Sequence, residues 1–552
     1  MANKQLLLLA LIIPVLLGLA WFLKPTATGT ATLNPPGTRA ITQDEVTSIE
    51  KPCSDEHPEW RSAQSIEGVP IAASLACEPD NPFEIAAAVK GTNNIAMATL
   101  MQTDLAQDAL EMSDDLDNDG DPDIIHIKLE VVELNGFSPD GDYLINTFAI
   151  APGIQPGLWA YAPKSRGMGV KNFNSRIANP LLRAPSPSIR VEQGDRVSIT
   201  LENTHYLPHT LHLHGVDHPW QNSHGEDNDG AEEHPVFPGT QHTYEIQPRH
   251  AGTMLYHCHV QTAQHIMMGL GGLFIVEENR PNNWLQTFNI GAGQVRHPSV
   301  AVSQTYNQEY DLVYQSLDKK LSGIIQQAND PRLISQQMSR DYNMTESFEN
   351  YFLLNGHSFP YTLRDGMIIT AENENIKLRV ANLQRSAVAL HVHGHKVAIT
   401  AYDGVDQPEG QQLTRDVVDI APAQRVDLSL RTQDDGLHSY GPGLWMFHDH
   451  VPTGTTSDGM EPGGNMAILA YQSLVDGQGM PKMHEDMLGE LFSPDYYAKK
   501  LPVWRSGDFK QLLGDAGKMP PTYWQIIIFG LLIGLALALL MFIMMATSRK
   551  RP

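Results

Sequence analysis

The sequence predicts an all-β protein of two β-sandwich domains, preceded by an N-terminal extension and followed by one membrane-crossing helix. Three observations carry that expectation. The middle of the chain repeats itself, each repeat consists of short runs with period-two alternation, and Gly, Pro, Asn and Asp turns separate those runs.

Each copy holds an alternating strand, an HxHG, a long loop, a second HxH and a Gly-Gly leading into an apolar strand. In the first copy these are Val197-Ser-Ile-Thr-Leu201, His212-Leu-His-Gly215, His257-Cys-His259 and Gly271-Gly-Leu-Phe-Ile-Val276. In the second they are Ile376-Lys-Leu-Arg-Val380, His391-Val-His-Gly394, His448-Asp-His450 and Gly463-Gly-Asn-Met-Ala-Ile-Leu469. The domains are therefore expected at 126–280 and 346–475.

Around them the remaining elements follow in order. The first 24 residues hold an apolar run from Gln5 to Leu23 after Lys4, which exports the chain as either a cleaved signal or a retained anchor. Residues 25–125 are rich in Pro, Thr and acids, with a helix expected near 93–112. Within a linker at 281–345, residues 309–340 are polar with Leu and Ile at helix-like spacing. A stalk at 476–521 leads to a helix at 522–547, almost wholly apolar from Trp524 to Ala546 and long enough to span a bilayer. Tyr523 and Trp524 mark one edge; Arg549, Lys550 and Arg551 mark the other and place the C-terminus in the cytoplasm, with the main domains on the periplasmic side. Gly530 and Gly534 form a GxxxG, a motif common in such helices.

With 38 basic against 63 acidic side chains, the net charge of −25 argues against nucleic acid and anionic lipid as partners and suits a cationic or neutral one. Cys53 and Cys77 are candidates for a disulfide outside the cytoplasm, leaving Cys258 between His257 and His259.

Among 23 histidines in 552 residues, chance yields about one HxH, yet the chain has five overlapping instances. Residues i and i+2 of a strand point to one face, so each HxH offers two imidazoles side by side, and imidazole suits copper. Cys258 adds a thiolate. With His209 and His265 it supplies two nitrogens and one sulfur, the ligand set of a blue-copper electron-transfer site.

These residues resemble the multicopper oxidases, especially the two-domain, laccase-like kind with type 1 copper in domain 1. The resemblance covers the two sandwiches, about half the chain, and implies cupredoxin-like Greek-key folds. It further implies four coppers per chain, one-electron oxidation of a substrate at type 1 copper and reduction of O2 to water at a trinuclear cluster. By the same resemblance His212 and His391 bind type 2 copper, while His214, His257, His259, His393, His448 and His450 bind the type 3 pair. In domain 2, Asp449 and Val388 stand where the type 1 cysteine and its leading histidine would be, so that domain should lack a blue site. Family members place each cluster between domain 1 of one subunit and domain 2 of the next, which implies a homotrimer.

The interval from Cys258 to His265 is two residues longer than the family's HCHxxxH. Counting five beyond His265 gives Leu270 as the axial residue, with Met267 and Met268 as competitors. A carboxylate proton donor near the cluster is expected at Asp217 or Asp229. Their loop, Val216 to Pro235, also carries His218, Trp220, His224, Glu226, Asp227, Glu232, Glu233 and His234 and borders either solvent or the substrate entrance. Asp115, Asp117, Asp119 and Asp121 resemble the first half of a calcium loop, although position twelve is His126 and not Glu.

Two other functions fit part of this pattern. A copper nitrite reductase would leave His259, His393, His448 and His450 without a role, and a copper carrier would not need paired domains. The electron donor stays open among phenols, metal ions, small nitrogen compounds and redox proteins.

Overall fold

A computed structural model of the chain describes residues 62–73, 81–476, 479–483, 491–498 and 523–548, except 168, 171–174, 217, 232–233, 301 and 304. The N-terminal apolar run, Cys53, Cys77, Asp217 and most of the expected stalk lie outside them. The described residues fall into two compact units, one within 34–500 and the other the helix Tyr523–Ser548.

Two sheets form the first sandwich. One runs in the order Gln241–Ile246, Arg196–Glu202, Ile124–Leu134, Leu110–Ser113, with Leu158–Pro163 also paired to Ile124–Leu134. The other runs His212–His214, Gly252–His257, Gly271–Glu277, Ser188–Glu192, Phe288–Asn289. Period two explains the core: Ile125, Ile127 and Leu129 share a face and stand in parallel register with Val197, Ile199 and Leu201. None of these six exceeds 2% exposure, and each stabilises the fold by roughly 1.5–3 kcal/mol through burial.

This domain begins before 126, which corrects the expected boundary. Leu110–Ser113 pairs with Ile124–Ile127, and Ala88, on a helix spanning Pro82–Lys90 and capped by Asn81, joins the core. The helix expected near 93–112 is thus largely displaced. Within that range the chain forms only short turns at Thr92–Asn94 and Met97–Leu100 before the strand begins.

The second sandwich pairs Gln308–Leu317, Asn375–Leu383, Arg425–Arg431 and Val397–Tyr402 in one sheet. Its other sheet holds Ile368–Thr370, Ala467–Tyr471, Leu444–Asp449, Val388–Val392 and Val417–Ile420. Gln308–Leu317 falls in the expected linker, yet it is a ten-residue strand buried on both faces. Its polar residues look solvated in sequence because their partners are distant: Asp311 meets Arg190, and Gln315 Nε2 donates to Gly269 O at 3.1 Å. Helices Lys319–Ile324 and Pro331–Gln336 follow it.

A buried ionic network joins the sandwiches. Arg190 of the first donates to Asp311 at 2.6 and 2.8 Å and to Glu309 at 3.3 Å. Arg379 of the second donates to Glu277 at 2.9 and 3.1 Å, to Glu309 and to Asp427 at 3.3 Å. None of these six side chains is more than 5% exposed.

Helix Tyr523–Ser548 spans 26 residues, about 39 Å at the usual rise per residue. Leu531, Leu535 and Phe542 on it are each about two-thirds exposed. Its side chains are described continuously only over 530–545, and on the described residues no helix is long and apolar enough to cross a membrane.

Candidate metal centre

Alternation along one strand end separates two sets of ligands. His257 and His259 flank Cys258, so they face away from the core, while Cys258 is fully buried inside the first sandwich. There its Sγ lies 3.2 Å from His265 Nδ1 and 3.7 Å from His209 Nδ1. Two nitrogens and a sulfur bound roughly 2.0–2.3 Å from one ion stand about 3–4 Å apart, so this triad fits a copper ion. Burial pushes the Cys258 thiol up to about 11, and binding metal requires loss of its proton.

His265 reaches the sulfur from a short helix, Thr262–Met267, which starts after Gln261 in the left-handed conformation, φ 43°. That helix accommodates the two extra residues of the spacing. Leu270, Met267 and Met268 all lie in the core cluster with Cys258.

Outside the core, His212 pairs with His257 across adjacent strands. The rings of His212, His214, His257 and His259 form a group with centroids 4.9–5.8 Å apart. On the second sandwich His391 pairs with His448 in the same way, and His391, His393, His448 and His450 stand 4.6–5.6 Å apart. The glycine after each HxH has positive φ, 82° at Gly215 and 62° at Gly394, a backbone state that explains the HxHG pattern.

Hydrogen bonds fix which ring nitrogen is free. A carbonyl can only accept, so His212 Nδ1 donates to Asp229 O at 2.6 Å and His391 Nδ1 to Asp416 O at 3.0 Å. His257 and His448 likewise donate through Nδ1 to the carbonyls of Cys258 and Asp449, at 2.9 and 3.0 Å. Their Nε2 lone pairs therefore face His214 Nε2 at 3.0 Å and His393 Nε2 at 3.2 Å, separations that a shared ion would bridge. His259 Nδ1 is buried without a hydrogen-bond partner, a cost that a metal ion removes. Burial, with neighbouring imidazoles adding to it, holds His214 down to about 4 and His257 to about 3, so both stay neutral ligands at pH 7.

The two groups do not meet within one chain. Among the described residues, every close ring pair of these eight histidines lies within one group or the other. What approaches His214 from the second sandwich is the charge of Arg425 and Asp403. His450 is exposed, and a cavity of about 280 Å³ borders His391 and His393.

Several expected residues sit differently. Asp229 holds His212 through its main-chain oxygen, while its carboxylate accepts from Ala231 N at 2.9 Å within its own loop. His218 turns inward to 5.9 Å from the His212 ring, whereas Trp220 and His224 stay exposed. Asp449 is fully buried and accepts main-chain hydrogen bonds from Ala389 and Val451, and Val388 is apolar core. Asp115, Asp117 and Asp119 bring oxygens within 4.8 Å of one another. Asp121 does not join them, because it accepts from Asn283 N at 2.8 Å, and His126 lies in a strand opposite Glu111.

Sequence reasoning missed His205, Glu133 and Thr210. Thr210 Oγ1 accepts from His259 N at 3.0 Å, and His205 contacts His209. Asp227 stood out only as one acid of a long loop. Both its carboxylate oxygens are buried without partners, and burial, then Asp229, raises its pKa.

Two sandwiches, a cysteine with two imidazoles in the first and matched imidazole groups on both make up the candidate metal centre. Residues 182–281 and 331–460 each match a multicopper oxidase family model, so both sandwiches are similar to the multicopper oxidases. Relatives include the iron transport multicopper oxidase of Gibberella zeae, 24% identical over 52% of this chain and 44% of that protein. The rat ceruloplasmin is 22% identical over 47% of this chain and 23% of its own length, and the multicopper oxidase of Staphylococcus aureus is 26% identical over 36% and 44%. The chain thus spans less than half the length of these relatives. A solved structure, the blue copper oxidase from Nitrosomonas europaea, is similar at 24% identity and a TM-score of 0.47, covering 67% of this chain and 92% of that one.

Proposed function

We propose that the protein takes single electrons from a reducing substrate at the Cys258 site and reduces O2 to water at a cluster made from the two imidazole groups. The observation that supports it most is the duplication: four imidazoles on each sandwich, with both members of each cross-strand pair tied through Nδ1 to a main-chain carbonyl. Copper, four ions per chain, would supply the redox chemistry when bound at these residues. His209, Cys258 and His265 would hold the first ion, and the eight outer histidines the other three.

The chain itself does the rest. Cys258 is bonded through the backbone to His257 and His259, which gives electrons the shortest covalent route from the thiolate to the outer imidazoles. Carbonyl partners orient those rings in advance. Asp227, raised by burial, can hold a proton beside Asp229 on the loop that supports His212.

Because the two groups stay apart in one chain, a complete cluster needs the first sandwich of one copy against the second of another. Such a head-to-tail contact forms a ring where its rotation closes, and the family resemblance implies a trimer. The nitrite-reductase reading is weaker, since it gives no role to four histidines that are assembled like the rest. Calcium is secondary to this reading: three carboxylates fall short of the six to eight oxygens that ion takes.

We also infer that Tyr523–Ser548 anchors the protein with its sandwiches outside the cytoplasm. The helix is longer than the roughly 30 Å hydrocarbon core and is followed by Arg549, Lys550 and Arg551. Alkali-washed membranes carrying the copper-loaded chain are expected to consume O2 with a strong one-electron donor, and a chain ending at residue 521 to carry that activity into the supernatant. Absence of O2 uptake in both fractions contradicts the oxidase reading; equal release of both chains contradicts the anchor.

A further inference from the structure

His209 is fully buried, and only one of its ring nitrogens faces Cys258. The other, Nε2, lies 2.9 Å from His205 Nδ1. Leu207 N–H also points at His205 Nδ1, from 3.3 Å, so that nitrogen accepts. The proton of the His205–His209 contact therefore belongs to His209 Nε2, which leaves His209 Nδ1 with its lone pair toward the sulfur. It follows that His205 carries its own proton on Nε2. That nitrogen is buried with no full hydrogen bond, and the polar group it meets is Glu133 Oε2, at 3.5 Å.

Glu133 Oε2 gathers more than this contact. Trp159 Nε1 donates to it at 3.1 Å, and the Tyr206 hydroxyl donates to it as well. Strand pairing places Glu133 directly opposite Trp159. The Trp159 ring in turn stands edge-on to His205, His209 and His265, at 4.9, 5.6 and 5.2 Å. One carboxylate oxygen thus touches groups that pack against both imidazoles of the thiolate site: His209 through His205, and His265 through the perpendicular Trp159 ring.

We propose that Glu133 and His205 are positioning residues for this site, a relay that sets the tautomer of His209 and places a fixed negative charge behind it. The proposal rests on the type 1 reading of His209, Cys258 and His265. A carboxylate stabilises the more highly charged oxidised ion, so losing its charge should raise the reduction potential of the site. Losing the acceptor on His205 should instead release His209 to the wrong tautomer and weaken metal binding.

The test uses the full-length, copper-loaded protein and reads the blue absorption, the reduction potential and copper affinity by chelator competition. Glu133→Gln keeps the shape and an acceptor oxygen but not the charge; the expected result is a retained blue band with a raised potential. His205→Phe keeps an aromatic ring without the acceptor, and the expected result is a shifted band with roughly 10- to 100-fold weaker copper binding. Tyr206→Phe, which removes one donor to Glu133 and leaves His205 intact, is expected to keep the band and the affinity and so shows that the region tolerates substitution. The relay is overturned if Glu133→Gln and His205→Phe both leave band, potential and affinity at wild-type values. Failure of the underlying reading looks different: the wild-type protein itself would then show no blue band, or would keep it after loss of Cys258.

Discussion

Cys258→Ser is expected to eliminate the intense blue absorption of the copper-loaded protein and to lower oxidase turnover by more than about 100-fold, the upper range for loss of a mere supporting residue. The sulfur is the soft donor that stands with His209 and His265, and a serine hydroxyl cannot replace its bonding to copper. The same residue joins the inner triad to His257 and His259 through the backbone, so the substitution is expected to remove both the entry site and the sulfur that starts the route outward. Folding should survive, because the main-chain bond from Cys258 N to Leu270 O and the strand pairing of Gly252–His257 do not involve the side chain. Copper on the outer histidines is expected to remain. Absorption spectra and copper content of the purified variant check both halves; a persisting blue band contradicts the assignment of Cys258.

Arg379→Ala is expected to destabilise the paired sandwiches by about 3–5 kcal/mol, the usual cost of removing one partner from a buried ionic network. Arg379 is 2% exposed and answers Glu277, Glu309 and Asp427, with a further hydrogen bond to Thr253 Oγ1 at 2.7 Å. Without it Arg190 is the one guanidinium left facing the buried acids, with Lys377 Nζ 3.6 Å from Asp427 at the edge of the network. Burial acts to raise the Glu309 carboxyl, but the guanidiniums of Arg379 and Arg190 outweigh it and hold the group below the usual carboxylate range. A depressed carboxyl stabilises the wild type at neutral pH and loses that contribution as the pH falls. In the variant the uncompensated acids take raised values, whose stabilising share is present at low pH and lost as pH rises. The deficit in denaturant midpoint should accordingly be larger at pH 8 than at pH 5. Equal midpoints for variant and wild type contradict a role for the network in holding the sandwiches together.

The parts legible in the sequence were those with short-range period. The two HxHG and two HxH motifs are local, so the imidazole groups, and the contrast between Cys258 and Asp449, could be read directly. Strands such as Arg196–Glu202 announced themselves by alternation. Gln308–Leu317 did not, because Asp311 and the Gln315 amide nitrogen find their partners in the other sandwich, and polarity in sequence resembles exposure. Leu110–Ser113 is too short to outweigh the acid-rich loop beside it. Glu133 and His205 were hidden for another reason: they lie 76 and 4 residues from His209 with no motif between them, and only strand pairing brings the first to the site. The Asp229 carboxylate was one of two expected proton donors, with Asp217, yet the proximity of Asp229 to His212 comes from its carbonyl, which residue type does not reveal.

The most direct measurement is copper per chain in the purified, reconstituted protein by elemental analysis, with the solution mass taken on the same sample. About four coppers per chain are expected, one on the thiolate triad and three on the paired imidazole groups, in an assembly of about three chains. About two coppers per chain would contradict the oxidase reading and favour a single-copper catalytic site of the nitrite-reductase kind, and one or none would leave a carrier.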